Sequence, residues 1–346
     1  MLAASQERAV TQDFTERQQL FAPFGAEAQA RLARARVLVV GVGATGSAMA
    51  EGLARAGVGA LTLVDRDLVD AGNLGRQCLY ARGDVGRPKA RAAAERLAAI
   101  VPALAVDAHV AEATPTLLEA LAPGAALMVD GTDSFATRAL INELACRASI
   151  PWIYSGAIGA TAVSLPIVPG ETACLACLYP TPPAPESEER CDVLGVLQAA
   201  VLQAAALSLT EALKLLGGRT DALRRELWTV DLWRGQLGRV RAARPRRDCP
   251  VCVHGETPLL DAPRDRPRVA MLCSRTLQVT PPPGTPAPDL AALARRLDAP
   301  APGPDYLRAR IDGLDVVVFP DGRLRLVGCD SAERALALHR RLREDA

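Results

Sequence analysis

The residues of this chain that could do chemistry fall into four groups. The first is Gly41-Val42-Gly43-Ala44-Thr45-Gly46, which ends an apolar run and opens a small-residue helical pattern. Asp65 follows 19 residues beyond Gly46, at the end of a second apolar run. In such a loop Gly41 permits a tight turn, Gly43 lets backbone approach a phosphate, and Gly46 lets helix pack on strand; the helix N-terminus then favours an anion. Asp65 suits a ribose hydroxyl. Taken alone, the loop does not separate NAD, FAD and ATP. The second group does: Asn73, Arg76 and Lys89, then Asp130 and Asp133 in MVDGTDSFATR. A triphosphate carries several negative charges that an arginine fork and a lysine point charge neutralise. A carboxylate at the C-terminal end of a strand, where open α/β sheets bind ligands, can hold Mg2+ beside phosphate oxygens. Asp133 can instead cap the helix that follows. NAD chemistry leaves the cationic cluster unexplained, so ATP with Mg2+ is the expected ligand.

The third group is Cys174-Leu-Ala-Cys177 and Cys249-Pro-Val-Cys252. Four thiolates suit a closed, tetrahedral, structural Zn2+ site with no position left for catalysis. Such a metal would tie the segment after the main sheet to the end of the body; a redox pair is the competing use. The fourth is Cys191, at the end of the proline-rich charged loop TPPAPESEER. Arg190 would stabilise its thiolate and Asp192 would oppose that, and an incidental loop cysteine is the alternative.

The elements that must position these groups alternate. Strand-like runs lie at 37–41, 61–65, 126–130, 151–155 and 162–168, with helical patterns at 45–56, 87–99 and 134–148. That alternation implies an α/β fold with a doubly wound, mostly parallel sheet. The apolar segment 193–216 has the length of a membrane span, but Gln198, Gln203, Glu211 and Lys214 interrupt it and favour a buried helix. ELWTVDLW reads as a further strand. Beyond it the tail reads as a short helix near 288–297, then strand, strand, an Asp321-Gly322 turn, strand and helix. Hydrophobic residues make up 49%, enough for a core, and 40 basic residues against 39 acidic give no reason to expect nucleic acid or a membrane surface. The opening MLAASQERAVTQDF lacks the basic start and apolar run of a signal peptide, so a cytoplasmic protein with reduced or metal-bound cysteines is expected.

GVGATG, VDRDLVDAGNLGRQ, DVGRPKA, DGTDSFATR and GAIGATAVSLPIVPGETACLAC together resemble the ubiquitin-activating-enzyme-like adenylyltransferases of the HesA/MoeB/ThiF family, over residues 15–252. The resemblance implies a Rossmann-like ATP-binding fold. It also implies adenylation of the C-terminal carboxylate of a small ubiquitin-fold sulfur-carrier protein (MoaD/ThiS-like). That step prepares thiocarboxylate formation in molybdopterin, thiamine or tRNA-thiolation pathways. Residue by residue, Asp65 would hold the ribose, Asn73, Arg76 and Lys89 the phosphates, and Asp133 the Mg2+. Arg17 would reach across a homodimer to the partner's ATP. Cys174, Cys177, Cys249 and Cys252 would carry zinc. Cys191 matches a cysteine of the family's crossover loop (178–193) that in some members links covalently to the carrier. Ala199 stands where a proline is common, and Leu202 and Ala205 where glycines are, so the crossover departs from the family pattern. Sulfur would come from a sulfurtransferase or a cysteine desulfurase. Residues 1–255 would form the adenylation domain, 256–267 a linker, and 268–346 a small C-terminal α/β extension for docking or stabilisation. A tRNA-modifying (threonylcarbamoyladenosine) dehydratase relative, an NAD-dependent oxidoreductase and a non-catalytic zinc-stapled scaffold are the alternatives.

Overall fold

A computed structural model describes residues 14–181, 194–272 and 276–344. The chain divides into two compact units, Met1–Leu260 and Asp261–Ala346. The stretch expected as a linker, 256–267, is split by this boundary. Its first residues belong to the first unit, because Leu259 and Leu260 donate their N–H groups to the buried Glu143 carboxylate and Leu260 is fully buried.

The first unit is built on an eight-stranded sheet in the order β3-β2-β1-β4-β5-β6-β7-β8. β1 (Arg36–Val40), β2 (Ala60–Val64), β3 (Ala105–His109), β4 (Leu127–Asp130) and β5 (Trp152–Ile158) run parallel. Val37 to Val40 are buried, as expected of an unbroken apolar strand covered on both faces. The parallel, doubly wound pattern ends at β5. There Gly159, at φ 55°, reverses the chain into β6 (Thr161–Ile167), and β7 (Glu226–Asp231) and β8 (Gln236–Arg241) continue antiparallel. Two strands were not expected. β3 (AVDAH) is a partly exposed edge strand, and β8 (QLGRVR) is exposed throughout, so neither carries an apolar run.

The helices of this unit cover the sheet. α1 (Glu16–Gln19) and α2 (Gly25–Leu32) precede β1; α3 (Ala44–Ala56) follows it and stops at Gly57, whose φ of 89° provides a left-handed C-cap. α4 (Lys89–Ile100) starts just after Pro88, α5 (Pro115–Leu121) is capped by Thr114, and α6 (Phe135–Ala148) by Ser134. A short α7 (Leu175–Leu178) holds Cys177 and has Cys174 as its N-cap.

Within the apolar run, α8 spans Gln198–Leu216, and Leu197 before it is extended, with its N–H donating to Gly159 O beside a Val196–Gly159 bridge. By length and composition α8 is apolar enough to cross a membrane. Its inner face is nonetheless packed against β4, β5, β6 and α3, with Leu209 against Gly52. Its buried polar groups are paired within the protein. Ser208 Oγ lies 3.0 and 2.9 Å from the hydroxyls of Ser155 and Ser164, and Glu211 accepts from Lys214 Nζ at 2.7 Å and Arg224 N at 2.8 Å. Such pairing marks a core helix.

The second unit is a five-stranded antiparallel sheet, β11-β12-β13-β10-β9. The strands are β9 (Arg268–Leu272), β10 (Thr276–Thr280), β11 (Leu307–Ile311), β12 (Leu314–Val318) and β13 (Leu324–Val327). α9 (Leu290–Arg296) and α10 (Ala332–Glu344) contribute to its core with Leu293 and Leu338, which join Val279, Leu307, Val316 and Leu326. The Asp312-Gly313 pair between β11 and β12 holds both residues at positive φ, as a tight hairpin turn requires.

Candidate active site and metal centre

The glycine loop connects β1 to α3 and packs against the residue that follows β4. A Cβ at Gly41, whose φ is 84°, would lie 2.7 Å from Gly131 O, and one at Gly46 would lie 1.9 Å from Gly41 O. Gly131 is equally constrained, since its Cβ would meet Gly41 O at 2.1 Å. These three are glycines because backbone touches backbone. Gly43 differs. A Cβ there meets nothing closer than Gly131 O at 3.6 Å and Gln77 Nε2 at 3.9 Å. The fold leaves room at Gly43, which is the cradle a phosphate needs.

The loop is fixed from both sides. Val42 N donates to Asp65 Oδ2 at 2.8 Å, and Val42 O accepts from the buried Tyr80 hydroxyl at 2.7 Å. Asp65 Oδ1 accepts from Asp67 N at 2.7 Å. Each carboxylate oxygen keeps a further lone pair, so Asp65 can still accept from a ribose hydroxyl. Burial pushes the Asp65 pKa up, and Lys89 partly offsets this.

Lys89 is the first residue of α4, 5% exposed, with Nζ 3.2 Å from Asp67 Oδ2. Burial works against its charge, but Asp67 and Asp65 more than offset that, and its pKa lies above the ordinary lysine value. Asp133 also acts on Lys89, and on Arg66, which is bound to Glu112 at 2.8 Å. Among the expected site residues, Asp65, Lys89 and Asp133 are thus gathered at the C-terminal end of the parallel strands. Asn73 ends a 3-10 turn (Ala71–Asn73), and its Oδ1 accepts from Arg76 Nη2 at 2.6 Å while Arg76 Nη1 donates to Gly72 O at 3.0 Å. Asn73 therefore orients Arg76. Gln77, the next residue, reaches the glycine loop and places this turn beside it.

The two aspartates after β4 have different fates. Asp130 is fully buried. Its Oδ1 accepts from Thr132 N and Oγ1 at 2.9 and 2.7 Å, and its Oδ2 from Arg138 Nε at 2.9 Å. It braces the strand end and is no metal ligand. Asp133 is exposed, and the cap of α6 is Ser134, one residue later. An exposed carboxylate among cations is the group that fits Mg2+ beside a polyphosphate.

Arg17 is not brought to this site. Gln18 donates to Ala56 O at 3.1 Å, which places α1 against the C-terminal end of α3. The 13 residues of α3 separate it from Gly43 by about 20 Å. Cys191 and most of the crossover loop, 182–193, lie outside the described residues. Tyr80, Gly131 and Arg138 were missed in sequence. A glycine directly after a strand was a usable signal for Gly131; nothing local marks Tyr80 or Arg138, whose partners lie elsewhere in the chain.

The four paired cysteines do converge. Their sulfurs all lie within 4.8 Å of one another. The separations are 3.8 Å for Cys174–Cys177, 3.6 Å for Cys174–Cys249 and 3.5 Å for Cys177–Cys252. A tetrahedron with metal–sulfur bonds of about 2.3 Å has edges of about 3.8 Å, so the cluster fits a zinc ion. Arg246 N donates to Cys177 Sγ at 3.2 Å. Thiols this crowded share protons. The S–H groups of Cys146, Cys177 and Cys252 hold Cys174 far below the ordinary thiol value, while hydrogen bonding to Cys174 pushes Cys252 far up and Cys177 up to about 11. A bound cation takes the place of those protons. α6 supports the cluster: Asn142 Oδ1 accepts from Leu175 N at 2.9 Å, and Glu143 anchors the segment after Cys252.

Comparison with known proteins adds identity to this geometry. A Sulfur carrier protein ThiS adenylyltransferase of Bacillus subtilis is 37% identical over 330 residues, covering 93% of this chain and 97% of that protein. A Sulfur carrier protein adenylyltransferase of Thermus thermophilus is 39% identical over 250 residues, covering 69% of this chain and 90% of that protein. The crystal structure of E. coli MccB with ATP has a similar fold, with a TM-score of 0.60 over 70% of this chain and 75% of that chain at 23% identity. The ThiF family matches residues 15–251, which hold the glycine loop, the lysine cluster and three of the four paired cysteines. With that match, and a relative aligned along nearly its whole length, the chain belongs to the ThiF family.

Proposed function

We propose that this protein is an adenylyltransferase that uses ATP to activate the C-terminal carboxylate of a small ubiquitin-fold sulfur-carrier protein, the ThiS class first among them. The observation that carries the reading is the room left at Gly43 in the same site as a buried, charged Lys89. A phosphate fills the first and meets the second. The ThiS class is favoured because the relative named for it aligns through both units, whereas the Thermus relative covers 69% of the chain.

The carrier's carboxylate is ionised at neutral pH, so no general base is required. One of its oxygens bonds to the α-phosphorus of ATP, the bond from that phosphorus to the bridging oxygen breaks, and pyrophosphate leaves with the electron pair. The products are a carrier acyl-adenylate and pyrophosphate. The task of the protein is to bring two anions together in line, which is a matter of position and electrostatics. Lys89 and Arg76 would offset the repulsion from within the chain, Asn73 would hold Arg76 in place, and Asp65 would fix the ribose. Mg2+ held by Asp133 would supply further positive charge at the phosphates. Zinc in the Cys174, Cys177, Cys249 and Cys252 cluster would be structural, since four sulfurs leave no open position.

Arg17 would act in a homodimer. It lies too far from its own loop to touch the same chain's nucleotide, which supports a role toward a second copy. Cys191, as a thiolate, would attack the carbonyl carbon of the acyl-adenylate, forming a thioester to the carrier as the bond to AMP breaks and AMP leaves. In the cytoplasm, a sulfurtransferase or cysteine desulfurase would then offer a persulfide whose terminal sulfur displaces the thiolate, and a thiol reductant would cleave the resulting acyl disulfide to the thiocarboxylate. The test is to incubate the protein with each candidate carrier and Mg-ATP and weigh the carrier. Addition of an AMP mass to the carrier supports the reading, and an unmodified carrier in every pairing refutes it.

A further inference from the structure

Five cysteines, not four, meet at the metal centre. Cys146 lies on α6, one turn after Asn142 and so on the same face of that helix. Asn142 Oδ1 holds Leu175 N at 2.9 Å, which turns this face toward the start of α7. Cys146 packs there against the core cluster that holds Cys174 and Cys249, as Cys177 and Cys252 also do. Its thiol is within hydrogen-bond reach of Cys174. The four sulfurs that lie within 4.8 Å of one another do not include it. A closed tetrahedral zinc site takes four sulfurs and has no place for a fifth. Cys146 is thus an unligated thiol beside a ligated one. It is half-buried and open to small solutes, whereas Cys174 is 1% exposed.

We propose that Cys146 is an oxidant-sensitive modification site: peroxide joins its sulfur to that of Cys174 and so opens the metal centre. The S–H bond of Cys146 breaks, an S–S bond to Cys174 forms, and the O–O bond of peroxide is cleaved. Each sulfur gives up one electron, and the two oxygens leave as water and hydroxide, the Cys146 proton among their hydrogens. Three thiolates then remain where four held the metal, which leaves a coordination position open to a competing chelator. A thiol reductant reverses the step, as it does for other disulfides. This inference rests on the zinc reading given above.

The experiment uses the full-length protein and Cys146→Ala, with the zinc content of each measured first. Both are treated with hydrogen peroxide beside a chromophoric zinc chelator, and their disulfides are mapped by mass spectrometry without reduction. Untreated Cys146→Ala is expected to hold as much zinc as the wild type, because Cys146 is no ligand. Under peroxide the wild type should release zinc roughly tenfold faster or more than the variant. The wild type should also yield a peptide pair linked through Cys146 and Cys174, and a thiol reductant with added zinc should restore its metal. Equal release by both proteins, or links only among Cys174, Cys177, Cys249 and Cys252, overturns the proposal. So does loss of zinc from the untreated variant, which would make Cys146 a ligand. A wild type that carries no zinc before treatment overturns the zinc reading itself, and this proposal with it.

Discussion

A methyl group added at Gly46 would lie 1.9 Å from the Gly41 carbonyl, whereas one added at Gly43 meets only ordinary contacts. The two substitutions should therefore part company. Gly46→Ala is expected to destabilise the protein by at least about 1–3 kcal/mol through overpacking. Gly43→Ala should keep the wild-type thermal midpoint and lose ATP affinity by at least tenfold, about 1.4 kcal/mol; calorimetry on both variants checks this. Lys89→Met should slow adenylation roughly 10²–10³-fold, the usual scale for removing one charge-stabilising group, as single-turnover kinetics would show, and should lower the thermal midpoint because it leaves Asp65 and Asp67 without their counter-charge. The glycines, Asp65, Lys89 and Asp133 stand out in the sequence because each is marked by type and spacing along the chain. It could not reveal that Asp130 is consumed by Arg138, or that Tyr80 pins the loop, since those bonds depend on side chains meeting in three dimensions.

Among the elements, the parallel strands and their crossing helices were readable because buried strands carry unbroken apolar runs. β3 and β8 escaped because edge strands are half-exposed and show no such run. The start of α8 was misplaced for a related reason: composition alone does not tell an apolar helix from the extended, apolar approach to it. The cysteine knuckles were legible from spacing, and their four sulfurs meet at 3.5–3.8 Å. Metal analysis is expected to find one zinc per chain, and Cys249→Ser to lose it. Opening a cross-link of this loop length should cost about 2–5 kcal/mol, read as a lowered midpoint.

A second element-level expectation concerns α10. His339 is 3% exposed with both ring nitrogens unpartnered, and burial, then Arg343, lowers its pKa below the usual 6.5. The unfolded chain then binds more protons than the folded lobe as pH falls below 6.5. The contribution of His339 to stability is fully present above that value and is lost as pH drops through the lower, folded pKa. Urea unfolding of the wild type between pH 7.5 and 5 should show this loss, and His339→Leu should abolish it.

At the scale of the whole molecule, α1, which carries Arg17, packs at the end of α3 opposite the glycine loop, so the proposed role of Arg17 toward a second copy makes a test across two chains possible. Arg17→Ala and Asp133→Ala are each expected to be inactive alone. Mixed, they should recover part of the wild-type rate, because a heterodimer holds one site with both residues intact; no recovery would assign Arg17 no role in trans. A chain ending after residue 263 omits most of the C-terminal unit and keeps Leu260 and its bond to Glu143. That truncation should retain the zinc. A docking role predicts weaker carrier affinity for it, and unchanged affinity removes that role.

The most direct measurement is ATP–pyrophosphate exchange with and without a purified sulfur carrier. Joining a carboxylate to AMP is reversible, so label should pass from pyrophosphate into ATP when the carrier is present. It should not pass when the carrier is absent or lacks its last residue, nor with Asp133→Ala. Exchange that ignores the carrier's terminus, or its absence with every carrier offered, would contradict adenylation of a peptide carboxylate at this site.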